Sequence, residues 1–306
     1  MIENQSYQGL GFQGIVQSVE VNNQLQSKGT EEGGPCGVIA SFQATVLSYL
    51  ISNPSVFKNS GDPNNVFAKC FADVVWKTST SSSATLVIVN PDQSDGQLER
   101  DLLSVLRKVR IIRCRTPTEL FENVLKFWPI LSYFGGYFSL VLSLVLTKSP
   151  ENLVSEGGIG RTSLITKYGY TSQELVNLIL IGVGSGQVFD GIRDLEGHVM
   201  IGVEKRSTVG FLTVFEWFNY LEVGDNFKNP LVDVWVIMAE NHYSVFFNFS
   251  SVSYYWDPLG RMDNLAVCIL DRSHDDVTVV PDEVPPMELA IRTRWRKYLV
   301  KWEGLD

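Results

Sequence analysis

Three consecutive runs constrain this chain more than any other feature: VDVWVIMA (232–239), HYSVFFNF (242–249) and VSYYWD (252–257). Each is aromatic and β-branched, which suits a pleated, well-buried surface. Only two residues separate each run from the next. Breaks that short between such runs read as hairpin turns, so the three are expected to be antiparallel strands in sequence order.

The chain before them reads differently. Residues 1–30 are polar and rich in Gln and Asn, an extended lead-in. Helical spacing begins at Cys36, with Ile39, Phe42, Val46 and Tyr49/Leu50 near one face. Residues 77–96 are rich in Ser and Thr and read as a surface loop around one short strand, TLVIV. GQLERDLLSVLRKVRIIRCRT (96–116) predicts a helix and then a strand. YTSQELVNLILIG (170–182) predicts a helix capped by Thr171, with Glu174 three residues on and Gly182 as its stop. GFLTVFEWFNYLEVG (210–224) reads as a further helix, and RTRWRKYLVKW (292–302) as a strand with one solvated face. Helices first and a sheet late predict an α+β fold with a single domain over 31–306. With 44% hydrophobic and 11% aromatic residues the chain can bury a sizeable core.

One stretch imitates a membrane span: FWPILSYFGGYFSLVLSLVLT (127–147) carries no charge. Its length suits a bilayer crossing, and a membrane anchor is the alternative it raises. Pro129, the Gly135–Gly136 pair and three serines argue against a span, so YFSLVLSLVL (137–146) is expected to be a fully buried core helix. The opening residues lack the basic and apolar regions of a secretory signal. A net charge of −9 speaks against non-specific binding to nucleic-acid phosphates. The four cysteines are scattered without a CxxC pair, which predicts reduced thiols, no metal site and a cytoplasmic or nuclear protein. No cofactor motif is complete: GVGSGQ (182–187) and EGGIGRTS (156–163) both miss residues that a phosphate-binding loop needs.

Chemistry concentrates at EEGGPCGVIASFQATVL (31–47). A turn at Gly33, Gly34 and Pro35 feeds a helix whose first residue is Cys36. A helix N-terminus offers unpaired N–H groups and the positive end of a dipole, both of which favour a thiolate and can hold an oxyanion. The same position also suits a small buried hydrophobe, since free cysteine is often buried. The base must come from three histidines. His198 and His274 sit in a strand or loop and in an acidic loop, whereas His242 opens a strand. Asp257 lies fifteen residues later, at the end of the next strand. Antiparallel pairing places the start of one strand beside the end of the next, so His242 and Asp257 are expected to meet at one sheet end. Glu240 is a rival orienter, and Asp257 also reads as a plain turn residue.

GGPCGVIASFQA, GYTSQELVNLILIG, GFLTVFEWFNYLEVG, VWVIMAENHYSVFF and VPPMELAIRTRWRKYLVKWEG together resemble the MINDY deubiquitinases, in the branch with a GGPC motif. The resemblance runs from about residue 33 to the C-terminus and is poor over 51–125. It implies a papain-like cysteine peptidase that cleaves isopeptide bonds of polyubiquitin, favouring links through lysine 48. It implies Cys36 as nucleophile, His242 as general base, Gly33 and Gly34 lining the channel for the substrate tail, no cofactor, no nucleic-acid or membrane partner, and a monomer. The family's usual glutamine six residues before the cysteine is Thr30 here, which puts the oxyanion donor in doubt. A catalytically weak chain-binding pseudo-peptidase is the alternative that this departure raises. HYSVFFNFSSVSYYWDPLG is also similar to the His–Asp segment of SUMO-type proteases, although those place their cysteine after the pair; the likeness favours Asp257 as the orienter.

Overall fold

The computed structural model describes residues 35–58, 62–89, 109–132, 136–157, 163–166, 168–257, 265–272 and 279–303. Thr30, Gly33, Gly34, the lead-in 1–30, His274 and the helix expected before residue 109 lie outside these. The described residues group into two compact units: those of Asn53–Leu153, and those of Gly29–Ser52 with Val154–Asp306. The sequence reading carries 31–306 as one domain.

Helix α1 (Cys36–Ser52) belongs to the second of these units. It has neither an acidic first turn nor a basic last turn, and most of its circumference is buried. Of the apolar face expected from sequence, Val46 and Leu50 are buried, whereas Ile39, Phe42 and Tyr49 are corrected to a half-buried stripe. The small residues Gly37, Ala40, Ser41, Ala44 and Ser48 are buried along with Val38 and Leu47. Small side chains let a helix lie close to its neighbours.

In the first unit, α2 (Pro63–Lys77) starts on Asp62, whose carboxylate accepts from Asn64 N–H. Strands β1 (Ala84–Val89) and β2 (Val109–Cys114) pair antiparallel. TLVIV forms β1 as expected and residues 79–83 are a loop exposed at 80–82, but Lys77 ends a helix and β1 is almost wholly buried where a surface position was expected; residues 90–96 lie outside the described residues. Helix α3 (Pro117–Lys126) is capped by Thr116, whose Oγ1 accepts from Glu119 N–H at 3.1 Å.

The uncharged stretch at 127–147 holds a single turn, Trp128–Leu131, and α4 (Gly136–Lys148), which covers the helix expected at 137–146. Its expected full burial is corrected, since Phe138 and Leu146 are each 41% exposed. No helix of the described residues is long and apolar enough to cross a membrane. Two of the serines counted as breakers have a structural task, shared with Thr147. Ser139, Ser143 and Thr147 accept hydrogen bonds from the backbone N–H groups of Val89 (3.0 Å), Val87 (2.8 Å) and Thr85 (2.9 Å). Four helical residues rise about 6 Å, and two strand residues about 6.6 Å, so each hydroxyl meets alternate N–H groups of β1. The helix thereby pairs donors that the strand would otherwise bury unpartnered.

In the second unit, α5 (Gln173–Ile181) packs on α1. Its cap is Ser172, not Thr171; the Ser172 side chain accepts from Leu175 N–H, while Thr171 bridges to Ile165. Gly182 closes the helix at φ 75 with its N–H on Leu178 O, a left-handed turn that glycine adopts without strain. Asn177 then pins the following loop by donating to Ser185 O (2.6 Å) and Gln187 O (2.9 Å). A small hairpin of β3 (Ile192–Leu195) and β4 (His198–Ile201) follows and carries an exposed His198.

The main sheet holds β5 (Gly210–Thr213), β6 (Val234–Ala239), β7 (His242–Phe249), β8 (Val252–Trp256), β9 (Ala266–Arg272) and β10 (Tyr298–Glu303), in the order β10-β9-β8-β7-β6-β5. The helix expected over 210–224 is corrected to β5 followed by one turn, Val214–Trp217. β5 is buried along its whole length, so its residues show no strand alternation. It pairs parallel with β6, and the late sheet is therefore mixed, not purely antiparallel. One face carries the cluster of Trp235, Phe246 and Trp295, in which Trp295 meets both other rings edge-on. Helix α6 (Pro286–Arg292) packs there through Leu289, Ala290 and Ile291. Burying a large apolar side chain of this kind contributes about 1.5–3 kcal/mol. α1 lies against β6 and β7 and approaches Tyr243, a residue outside that cluster. The architecture is α+β.

Candidate active site

Two helix-start features position the sulfur. Pro35 O accepts from Val38 N–H (2.9 Å) and Ile39 N–H (3.0 Å), so the first α-helical bonds start one residue before Cys36. The N–H groups of Cys36 and Gly37 precede those bonds and sit at the positive end of a seventeen-residue helix. Gly37 cannot be larger: a Cβ there would lie 2.8 Å from Thr171 Cβ and 3.1 Å from Tyr243 Cδ2. This close approach wedges the start of α1 between the lead-in to α5 and strand β7.

The imidazole is placed by strand geometry. Glu240 and Asn241 form the two-residue turn between β6 and β7, closed by the pair Ala239–His242, with Glu240 at φ 57. The next hairpin turns at Ser250 and Ser251, both at positive φ (50 and 68), the twist that a tight hairpin requires. Its register pairs Val245 with Trp256 and so returns the end of β8 to the start of β7. Asp257 follows at once, and its Oδ1 lies 3.0 Å from His242 Nε2. The bond to the imidazole thus goes to Asp257, while Glu240 serves in the turn.

His242 also stands within side-chain hydrogen-bonding reach of Cys36. With Nε2 engaged by Asp257, Nδ1 is the nitrogen left for the sulfur. Cys36 is 3% exposed, and the His242 and Asp257 side chains 23% and 7%, so the imidazole is the most open of the three. Burial works against a charged imidazole. The hydrogen bonds to Asp257 and Cys36, and then their charges, outweigh it and hold the His242 pKa at about 9, above the ordinary 6.5. The carboxylate fixes the ring's tautomer and angle and steadies its positive form.

Tyr243 and Thr171 complete the surroundings; the sequence leaves Tyr243 unmarked and marks Thr171 only as a helix cap. Both are buried, and neither hydroxyl has a hydrogen-bond partner among the described residues. Burial, then the charges of Cys36 and Glu174, push the Tyr243 phenol up, so it stays neutral. No signal in the sequence places either residue beside Cys36, because their proximity comes from the wedge at Gly37. Of the other cysteines, Cys70 and Cys268 are held at about 12, by burial first. Among the described residues, no three or more His, Cys, Asp or Glu gather as a metal would require.

Comparison with known proteins gives this arrangement a family. The model of the conserved domain of the deubiquitinating enzymes MINDY-3/4 matches residues 19–304. The chain is 28% identical over 307 residues to the mouse protein named "Probable ubiquitin carboxyl-terminal hydrolase MINDY-4", covering 90% of this chain and 41% of that one. It is 27% identical to the human protein of that name, covering 90% and 40%. It is 30% identical over 245 residues to mouse "Ubiquitin carboxyl-terminal hydrolase MINDY-3", covering 71% and 55%. The chain therefore spans about two fifths of the length of the MINDY-4 relatives and about half that of MINDY-3. No solved structure matches it. On the extent of the matched domain, the chain belongs to the MINDY-3/4 family.

Proposed function

We propose that this chain is a cysteine-type ubiquitin isopeptidase of papain-like design. The observation that carries the reading is the line of three groups at one sheet end: Cys36 on a helix start, His242 within hydrogen-bonding reach of it, and Asp257 3.0 Å from His242. A nucleophile, a base and an orienter in this order are what acyl transfer through a thiol requires. The names of the MINDY-3 and MINDY-4 relatives point to ubiquitin as the substrate.

In this mechanism the Cys36 sulfur attacks the carbonyl carbon of ubiquitin's C-terminal glycine. The oxygen that becomes negative faces the first N–H groups of α1, which are fixed before the reaction and need not reorganise. His242 holds the proton that the sulfur gave up and passes it to the departing lysine amine as the C–N bond breaks. Its pKa of about 9 keeps that proton available through neutral pH. His242 then removes a proton from a water molecule, the water attacks the thioester, and ubiquitin leaves. Asp257 keeps the ring turned toward the sulfur throughout. Gly33 and Gly34 project no side chain, which suits a narrow channel for a Gly-Gly tail. Thr30 stands where the family carries glutamine, so the helix N–H groups are the donors on which the oxyanion depends.

The test is cleavage of lysine-48-linked tetra-ubiquitin, with other linkages as comparison, by the wild type and Cys36→Ala. The reading expects shorter chains with the wild type only, and fastest from the lysine-48 link. Bound but uncleaved chains after long incubation would assign the fold to holding ubiquitin instead of cutting it.

A further inference from the structure

The basic run at 292–302 has no part in the site above. It builds a separate feature of the second unit: an open cleft of about 380 Å³ lined by Arg272, Thr293, Arg294, Arg296, Lys297 and Tyr298. Four of these six side chains are cationic, in a chain whose net charge is −9. Strand pairing sets Arg272 directly across from Tyr298, and the turn after α6 supplies the other four. Complementing the negative end of α6 does not account for them. Arg292 already occupies that last turn and is spoken for by Glu288, 2.7 Å away. The dipole's influence fades within one turn.

The arrangement is organised. Arg294 lies over the rings of Trp295 (4.3 Å) and Trp235 (4.8 Å) and donates to Lys228 O (2.6 Å) and Asn229 Oδ1 (3.2 Å). Arg206 donates to the neighbouring carbonyls of Asn229 and Pro230. Burial pushes the Arg294 guanidinium down; the charges of Asp233 and then Tyr298 work the other way, and the like charge of Arg206 adds a smaller push down. Among the described residues, Arg272, Arg296 and Lys297 make no ion pair with a carboxylate. Like charges with no ion-pair partner among the described residues, as at Arg272, Arg296 and Lys297, repel one another, and a bound anion would relieve that repulsion. Guanidinium forks match the oxygens of phosphate in pairs, and the cleft has the size of a small-ligand site.

We infer that this cleft binds a compact, multiply charged phosphate group. Two sources share that chemistry: a soluble polyphosphorylated compound, or a phosphorylated lipid headgroup. The experiment is calorimetric titration of the 306-residue chain at near-physiological ionic strength with inorganic pyrophosphate and inositol hexakisphosphate. Sedimentation with phosphatidylcholine vesicles, with and without phosphatidylinositol bisphosphate, runs alongside. The expected result is binding that Arg272→Gln/Arg296→Gln/Lys297→Gln weakens by at least about tenfold. Arg113→Gln/Arg115→Gln, which changes two exposed arginines of the other unit, leaves it intact. Should the triple variant unfold, Lys297→Gln alone is read, with an expected loss of about threefold. Binding of the soluble probes assigns a free phosphate compound, and binding to phosphoinositide vesicles alone assigns the headgroup. Absence of both overturns the inference. So does equal weakening by the control pair, or a cleft that takes an oligonucleotide but neither phosphate probe. Each reading is made on Cys36→Ala as well, so a failed peptidase and a failed anion site stay distinguishable.

Discussion

α1 and α4 look alike as sequence. Both are free of charge over most of their length, both are apolar on nearly every side, and both carry hydroxyls at spacings of three or four residues. They are used differently. On α4, Ser139, Ser143 and Thr147 accept from the backbone of β1, even though Ser143 also donates back to Ser139 O. On α1, Ser41, Thr45 and Ser48 bond back to the helix itself, at Gly37 O, Ser41 O and Thr45 O. α4 is tied to a strand by directed hydrogen bonds. α1 is held by close packing, with Gly37 pressed on Thr171 and Tyr243. Packing of that kind fixes the start of α1 in place and leaves Cys36 for His242.

If that contrast is right, substitutions at the two helices separate activity from stability. Cys36→Ala should have the largest effect, complete loss of ubiquitin-chain cleavage with the unfolding midpoint nearly unchanged; residual cleavage by this variant would place the chemistry elsewhere. His242→Ala should follow, lowering kcat/KM by about 10²–10⁴-fold. Asp257→Ala removes the group that steadies the imidazolium. It should reduce the rate on the order of ten- to a hundredfold and move the basic limb of the pH profile down from about 9. The same shift predicts a stability signature. His242 has a folded pKa above its ordinary 6.5, so its contribution is fully present below about pH 6.5 and is lost as pH rises through about 9. Denaturant midpoints measured across that window should fall for wild type and stay flatter for Asp257→Ala.

Stability changes without chemistry come next. Gly37→Ala should cost about 1–3 kcal/mol, because the new methyl enters occupied space. It should also slow cleavage, since the start of α1 must move. Ser143→Ala strands the Val87 N–H inside the first unit and should cost about 1–2 kcal/mol with cleavage unchanged. Ser41→Ala removes only a back-bond within α1 and should cost less than about 1 kcal/mol. Equal costs at Ser143 and Ser41 would break the comparison between the two helices.

What could be read from residues alone follows the range of the forces involved. The strands at 232–257 are legible because their turns are two residues long and their side chains are β-branched or aromatic. The same local rule predicts His242 beside Asp257, as the register through Val245 and Trp256 has it. β5 was illegible because both its faces are buried, which erases the alternation that marks a strand. Its parallel partner also lies more than twenty residues away. The cap of α5 slipped from Thr171 to Ser172 because Thr171 is drawn into the bridge with Ile165 and the wedge at Gly37, contacts set by tertiary structure. The hydroxyls of α4 were visible in the sequence but counted as interruptions, since nothing local says which strand will face them.

The central claim is that Cys36, activated through His242, carries the chemistry. It is tested most directly by treating the folded chain with ubiquitin bearing a C-terminal electrophile and weighing the intact product. The account predicts one covalent ubiquitin on the wild type, mapped by peptide mass to Cys36, absent in Cys36→Ala and strongly slowed in His242→Ala. No adduct on the wild type, or the same adduct on Cys70, Cys114 or Cys268, would contradict it.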